Sequence, residues 1–458
     1  MHGPGAQPQA AESAPIGAPS NLSGMSSRPG RDRRRLTATV TDIEVDRQKA
    51  LLVAVVDDGA TLAVIDDSLA EMERLVDTAG SDVVDVVTQR KPHPDPATYL
   101  GKGKASELAG LGKALDIDLL VVDGELSPVQ QRNLQQIFEV DVVDRVALIL
   151  DIFALHATSR AGMAQVELAM LHYRLPRLRG KGIELSRLGA GIGTRGPGET
   201  KLETDRRRVL QRISHLERQL KELATVRATQ RKARQRSESP SAALVGYTNA
   251  GKSSLLNALT GSDVLVEDQL FSTLDATVRR VAMPSGREAL LSDTVGFVRD
   301  LPHQLIESFR STLEEAVDTD LLLHVVDASA DQPERQIAAV RETLESIDAH
   351  EIPELLLLNK TDAISLEALQ RLVNLHPDAA VVSALTRTGL QQLLGRIEDA
   401  VTPEAQDLEL LIPFDRGDLV ARIHDVAEIL SESHEEGGTH IKARVPTRYL
   451  VGLAEFTV

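Results

Sequence analysis

Cysteine is absent from the 458 residues. No disulfide, thiolate zinc site or cysteine nucleophile is therefore open to this chain. Long apolar runs are missing too. The longest, Val146 to Leu155, carries Asp151 within it and falls well short of the roughly 20 residues that a membrane-spanning helix needs. The N-terminal stretch from Met1 has no apolar segment of the kind that opens a secretory leader. A cytoplasmic protein is the expectation.

What is present is the mix of a globular protein, 42% hydrophobic and 26% charged. The length suggests about three domains. The formal net charge is -17, which by itself argues against a nucleic-acid partner. Its distribution argues otherwise: Arg174 to Arg236 holds 18 Lys/Arg and 6 Asp/Glu, a local net of +12. Such asymmetry suits a basic segment that meets polyphosphate while the acidic remainder keeps the chain dispersed. A solvated, charge-laced helical hairpin satisfies the same count.

Residues 1–35 are rich in Gly, Pro, Ala and Ser and end in Arg31, Arg33, Arg34 and Arg35. This composition predicts a disordered arm. From residue 36 to 156, short apolar runs alternate with helical stretches. Strands are expected over Leu51–Val56, Val83–Thr88, Leu119–Val122 and Val140–Val143, with a helix over Ser127–Phe138, giving a small α/β domain with a mostly parallel sheet. Within it, Tyr99-Leu-Gly-Lys-Gly-Lys104 precedes a helix expected from Ala105. That turn either receives phosphate or is a tight strand-to-helix connection.

Residues 157–238 read as a long helical hairpin. One helix is expected over Met163–Leu178 and another over Thr204–Arg236, where Val209, Ile213, Leu216, Leu220 and Leu223 recur at three- and four-residue steps. Between them, Leu188 to Thr200 contains five glycines and Pro197, which predicts a non-helical tip. Arg187, Arg195, Lys201 and the run Arg206, Arg207, Arg208 flank or sit in this loop. A second α/β region is expected over 239–403, and a small α/β appendage over 404–458.

The chemistry concentrates in that second region. The apolar strand Ala242–Val245 leads into Gly246-Tyr247-Thr248-Asn249-Ala250-Gly251-Lys252-Ser253 and then a helix. This is the G-x-x-x-x-G-K-[ST] loop in its required strand–loop–helix setting. Its backbone N–H groups and the helix N-terminus favour phosphate. Lys252 is placed to reach the β- and γ-phosphates, and the Ser253 hydroxyl to bind Mg²⁺. Asp293-Thr294-Val295-Gly296 follows another apolar pair. Asp293 suits a carboxylate that holds the magnesium shell through water, and Gly296 a close backbone approach to the γ-phosphate.

Asn359-Lys360-Thr361-Asp362 ends a third strand. The Asp362 carboxylate accepts from guanine N1–H and N2–H₂, a donor pair that adenine lacks. Asn359 is expected to tie this loop to the phosphate loop, and Lys360 to lie along the base. Ser383-Ala384-Leu385 offers a backbone N–H to guanine O6. Between loop and turn, Phe271-Ser272-Thr273-Leu274-Asp275 supplies a threonine to close over Mg²⁺ and phosphate: Thr273, with Thr277 as fallback. The order and spacing imply a GTP-hydrolysing switch with Lys252, Thr273 and Gly296 at its catalytic centre. Two details bear on rate. Phe297 follows Gly296 where many such switches carry a water-orienting glutamine, so slow intrinsic hydrolysis is expected. Asn249 either holds K⁺ near the phosphates or braces the loop.

With these residues in view, the chain resembles the HflX family of ribosome-associated GTPases from about Leu36 onward. Four stretches carry the resemblance: Tyr99 to Lys104, Gly189 to Asp205, Gly246 to Ser253, and Asp293 to Phe297. The resemblance implies a P-loop GTPase domain preceded by an α/β domain and a helical hairpin. It also implies GTP and Mg²⁺ as ligands, and binding of the large ribosomal subunit to split or rescue stalled ribosomes. The glycine-rich loop, with Arg187, Gly191, Gly193, Arg195, Gly196, Gly198 and Lys201, would face rRNA. Two rivals stay open: a ribosome-assembly GTPase, and an RNA-binding regulator gated by GTP. A monomer is expected.

Overall fold

A computed structural model describes residues 47–180, 197–236, 240–261, 270–271, 277–299, 319–401, 405–435, 437–446 and 453–458. The first sheet has strands β1 (Gln48–Val56), β2 (Ser81–Arg90), β3 (Leu119–Asp123) and β4 (Asp141–Asp144), ordered β2-β1-β3-β4 and all parallel. The four expected strands are present, each shifted by a few residues at most. β1 shows why its sequence is an unbroken apolar run. Ala50 and Leu52 enter one core, whereas Leu51 and Val53 enter another on the opposite face. A strand covered on both sides needs apolar residues at every position.

Helices α1 (Leu62–Thr78) and α4 (Arg145–His156) contribute Met72, Leu75, Ile149 and Phe153 to the first core. Helices α2 (Lys102–Leu115) and α3 (Pro128–Phe138) contribute Leu108 and Leu134 to the other. α3 starts where the sequence places it: Ser127 and Gln130 form a reciprocal capping box, with Pro128 in the first turn.

Helix α5 (Arg160–Arg174) ends earlier than the expected Leu178, and Pro176 opens a short 3-10 turn to Gly180. Proline lacks the N–H that an α-helix would need there. The second hairpin helix, α6, spans Pro197–Arg236, so it begins before the expected Thr204. The end of the glycine-rich stretch, Pro197 to Thr200, is thus helical. A proline in the first turn loses no bond, because that N–H has no partner in any helix. Gly198 and Lys201 fall within α6; Arg187, Gly191, Gly193, Arg195 and Gly196 lie outside the described residues. α6 lies along α5 with Ile213 and Leu216 buried, while Nε and Nη2 of Arg212 donate to the two Glu167 carboxylate oxygens at 2.6 Å each.

The second sheet runs β10-β9-β8-β5-β7-β6. Its strands are β5 (Ser241–Gly246), β6 (Thr277–Ala282), β7 (Glu288–Asp293), β8 (Leu321–Asp327), β9 (Glu354–Asn359) and β10 (Ala380–Val381). All are parallel except β6, which pairs antiparallel to β7. Helices α7 (Lys252–Thr260), α8 (Pro333–Ser346), α9 (Leu366–Leu375) and α10 (Leu390–Val401) accompany it. The third sheet, antiparallel β11 (Ala405–Ile412), β13 (Gly438–Pro446) and β12 (Glu428–Glu435), packs Leu410, Ile441 and Ala443 against Leu419 and Ile423 of α11 (Gly417–Val426). No described helix is long and apolar enough to cross a membrane.

One apolar core does not stop at the first sheet. The residues from α1, α4 and α5 share it with Tyr247, Leu270, Phe271, Val295, Phe297 and Val298. The segments on which the nucleotide motifs lie are therefore seated partly on the N-terminal α/β layer.

Candidate functional site

The parallel strands of the second sheet end together, and their carboxyl ends carry the motifs. Open α/β sheets bind ligands at this edge. β5 ends in Gly246, whose φ of +149° and whose closeness to the Val325 carbonyl exclude a side chain: a Cβ there would lie 2.2 Å from that oxygen. The loop continues through Asn249 (φ +58°) to Gly251 (φ +90°). A Cβ on Gly251 would meet the Asn359 amide at 2.4 Å. Glycine at both positions is thus a steric requirement, and the loop enters α7 directly at Lys252.

Lys252 is buried, and its Nζ donates to the carbonyls of Gly246 (3.1 Å) and Tyr247 (2.8 Å). Burial pulls its pKa down to about 8, against an opposing pull from Asp293. The Ser253 hydroxyl donates to Asp293 Oδ2 at 2.6 Å. Serine hydroxyl and carboxylate thus converge beside the phosphate loop, a pair of hard oxygen donors that suits Mg²⁺. Among the described residues no group of three or more His, Cys, Asp or Glu could hold a metal. An ion bound here would take its other ligands from water and phosphate, as Mg²⁺ commonly does.

The turn after β7 lies against the phosphate loop. Phe297 N–H donates to the Gly246 carbonyl at 3.1 Å, and Thr248 N–H donates to the Phe297 carbonyl at 2.7 Å. Gly296 is so close that a Cβ would stand 2.8 Å from the Thr248 methyl and 2.9 Å from Lys252 Nζ. Thr294 is anchored beneath, its hydroxyl donating to the Leu244 carbonyl at 2.7 Å. Phe297 is only 1% exposed. Its ring belongs to the shared core, so its distance from water chemistry is positional as well as chemical. Phe271 is also buried, at φ +59°, with its ring edge-on to Phe153 at 4.6 Å. Ser272, Thr273, Leu274 and Asp275 lie outside the described residues. Thr277 opens β6 directly opposite Asp293.

At the other end of the site, Asn359 is 1% exposed and bridges two loops. Its amide donates to the Ala250 carbonyl at 2.9 Å, and its oxygen accepts from Ala384 N–H at 3.0 Å. The expected tie to the phosphate loop is present. The Ala384 N–H, one of the groups expected to be open to guanine O6, is taken up by this bond, while Leu385 beside it is exposed. The Asp362 carboxylate accepts from the Ser383 hydroxyl, and Thr361 Oγ1 donates to the Val382 carbonyl at 2.9 Å. Lys360 sits at φ +59° with its ammonium 2.8 Å from Asp327 Oδ2.

Sequence reading missed Asp327, which ends β8 and pins Lys360. It also missed the Tyr247 side chain, whose hydroxyl contacts Glu71 on α1. The Gly101–Lys104 turn is engaged locally: Gly101 N–H donates to Gln89 at 3.2 Å, and Lys104 pairs with Glu107 at 2.8 Å.

A glycine-shaped loop between β5 and α7, a Ser253–Asp293 pair beside it, and the Gly296 turn and Asn359 loop packed against it at the carboxyl edge of one mostly parallel sheet define a P-loop GTPase. The comparisons agree. Family models match residues 66–154 (GTP-binding GTPase N-terminal), 156–234 (GTP-binding GTPase Middle Region) and 241–360 (50S ribosome-binding GTPase). The GTPase HflX of Caldanaerobacter subterraneus subsp. tengcongensis is 43% identical over 90% of this chain and 94% of its own length. That of Escherichia coli K12 is 41% identical over 83% and 90%. A Sulfolobus solfataricus GTP-binding protein solved with GDP is 25% identical over 77% of this chain and 98% of its own, with a TM-score of 0.41. The chain belongs to the HflX family of GTPases, and it hydrolyses GTP to GDP and phosphate.

Proposed function

We propose that this GTPase works on the large ribosomal subunit, splitting or rescuing stalled ribosomes, and that the ribosome accelerates its slow intrinsic hydrolysis. The observation that carries the reading is the placement of Phe297. The residue after Gly296 is locked in an apolar core and has no group with which to orient water, so an external partner supplies that ordering. Support for the ribosome as that partner comes from the family model over 241–360, described as a 50S ribosome-binding GTPase. It also comes from the +12 segment 174–236, whose helix α6 exposes Arg207, Arg208 and Arg218. Basic side chains on a long helix suit rRNA phosphate. The tip loop with Arg187, Gly191, Gly193, Arg195 and Gly196, continued by Gly198 and Lys201, is assigned to rRNA contact.

In this reading Lys252 leaves its two carbonyl partners for the β- and γ-phosphates, and the N–H groups of Gly251, Lys252 and Ser253 cradle the same oxygens. Ser253, Thr273 and, through water, Asp293 would hold Mg²⁺, whose charge would offset that of the phosphates. Gly296 N–H is assigned to the γ-phosphate, and Thr273 as the threonine ligand beside it. Asp362, oriented by Ser383, reads guanine. Asn249 either holds K⁺ near the phosphates or braces the loop, and comparing turnover in K⁺ and Na⁺ decides between the two. The protein is assigned to the cytoplasm and to a monomer in solution.

The test is GTP turnover with and without purified large subunits, alongside sedimentation of intact ribosomes. Turnover should rise by at least an order of magnitude, and 70S particles should separate into subunits. Fast turnover without ribosomes, or no response to them, would sink the proposal.

A further inference from the structure

A buried polar cluster on the N-terminal layer reaches the nucleotide motifs. Ser68 and Glu71 lie on α1, Asp123 ends β3, and Arg145 opens α4. The Arg145 side chain is 4% exposed. Its guanidinium donates to Glu71 and, at 3.1 Å, to Asp123 Oδ1. The Ser68 hydroxyl donates to Asp123 Oδ2 at 2.7 Å. Further contacts reach the phosphate loop and the segment after Gly296. The Tyr247 hydroxyl donates to Glu71 and accepts the backbone N–H of Arg299 at 2.7 Å. Arg145 Nη2 donates to the Arg299 carbonyl at 3.1 Å, and the Arg299 guanidinium donates to Ser68.

Both backbone groups of Arg299 are therefore held by side chains from elsewhere. Arg299 stands three residues after Gly296, just past the Phe297 peptide that pairs with Gly246 and Thr248. A buried ion pair contributes little stability over a well-packed apolar contact. Apolar contact is already supplied here by Phe271, Phe297 and Val298. What the polar groups add is direction, since buried hydrogen bonds hold their partners in one geometry.

We propose that Glu71 and Arg145 are positioning residues for GTP hydrolysis, acting through the Tyr247 hydroxyl and the Arg299 peptide to fix the Gly296 turn against the phosphate loop. This rests on the reading of Gly296 as the residue that faces the γ-phosphate. GDP makes no demand on that turn, so the network affects hydrolysis and leaves diphosphate binding alone.

The experiment uses the full chain in single-turnover and steady-state assays, with GDP affinity and thermal midpoint measured in parallel. Tyr247→Phe keeps the ring and every ion pair but cuts both hydroxyl bonds. It should lower kcat on the order of tenfold and leave GDP affinity within about twofold. Glu71→Gln should act in the same direction, and the double variant should fall no lower than the weaker single variant, because both cut one chain of bonds. Glu71→Gln leaves Arg145 with Asp123 as its remaining carboxylate, so the Tyr247→Phe result is decisive even without it. A folded Tyr247→Phe protein with wild-type kcat, or two effects that multiply, overturns the inference. Gly296→Ala separates the two levels. If it turns over normally, the reading of the turn is wrong and this inference goes with it. If it is inactive while Tyr247→Phe is unimpaired, only the positioning role is lost.

Discussion

In the proposed reading, base choice rests on few atoms. The Asp362 carboxylate, assigned to guanine, accepts from the Ser383 hydroxyl. Asp362→Asn turns an acceptor into a mixed donor and acceptor, so GTP affinity should fall by several kcal/mol, on the order of two unpaired buried bonds, in a calorimetric titration. Lys360 is in a left-handed conformation that only surrounding structure can hold, and Asp327 supplies part of that hold. Asp327→Ala should raise the KM for GTP with kcat at saturation preserved. A second carboxylate bears on stability instead. Burial would raise the pKa of Glu354, but bonds from His324 and Arg341 outweigh it and bring it down to about 2, from 4.5. A depressed carboxylate stabilises the fold above its unfolded pKa and loses that contribution as pH falls from 4.5 toward 2. Urea midpoints should therefore drop on acidification through this window, and Glu354→Gln should flatten the drop.

At the scale of elements, helix and strand periodicities were legible. Ile213 and Leu216 of the expected α6 stripe are buried against α5, and Val209, Leu220 and Leu223 partly so. Leu216→Ala should cost about 2–5 kcal/mol in urea unfolding, because it opens a cavity in the α5–α6 seam. What periodicity misplaced were boundaries. Pro176 and Pro197 have opposite effects for one reason, the missing N–H: it ends a helix when placed at the C-terminal side and is harmless in a first turn. The glycine-rich window hid only the second of these, since Pro176 lies outside it.

Across the whole molecule, charge and core are divided differently. The basic segment lies on the hairpin, whereas the apolar core runs from the first sheet to the switch turn. Association with large subunits should weaken steeply and linearly in log salt, with a slope set by the number of phosphates met. Sedimentation binding across a salt series measures it, and a flat dependence would remove rRNA phosphate as the contact.

The sequence alone determined the GTPase family and the strand–loop–helix setting of the phosphate loop, because these rest on short, contiguous residues: glycines where a Cβ would collide, then a lysine and a serine that open a helix. The order of the nucleotide motifs along the chain is not their order around the sheet edge: the phosphate loop after β5 sits between the Asp293 turn after β7 and, across β8, the Asn359 loop after β9. Only the tertiary structure decided what holds that site. Tyr247 and Glu71 stand 176 positions apart, and no spacing or periodicity links them. Glutamate and arginine on amphipathic helices read as solvated surface until the fold buries them together. Phe297 could be read from the sequence as a missing glutamine; its burial shows that the same residue fastens the switch turn to the N-terminal layer.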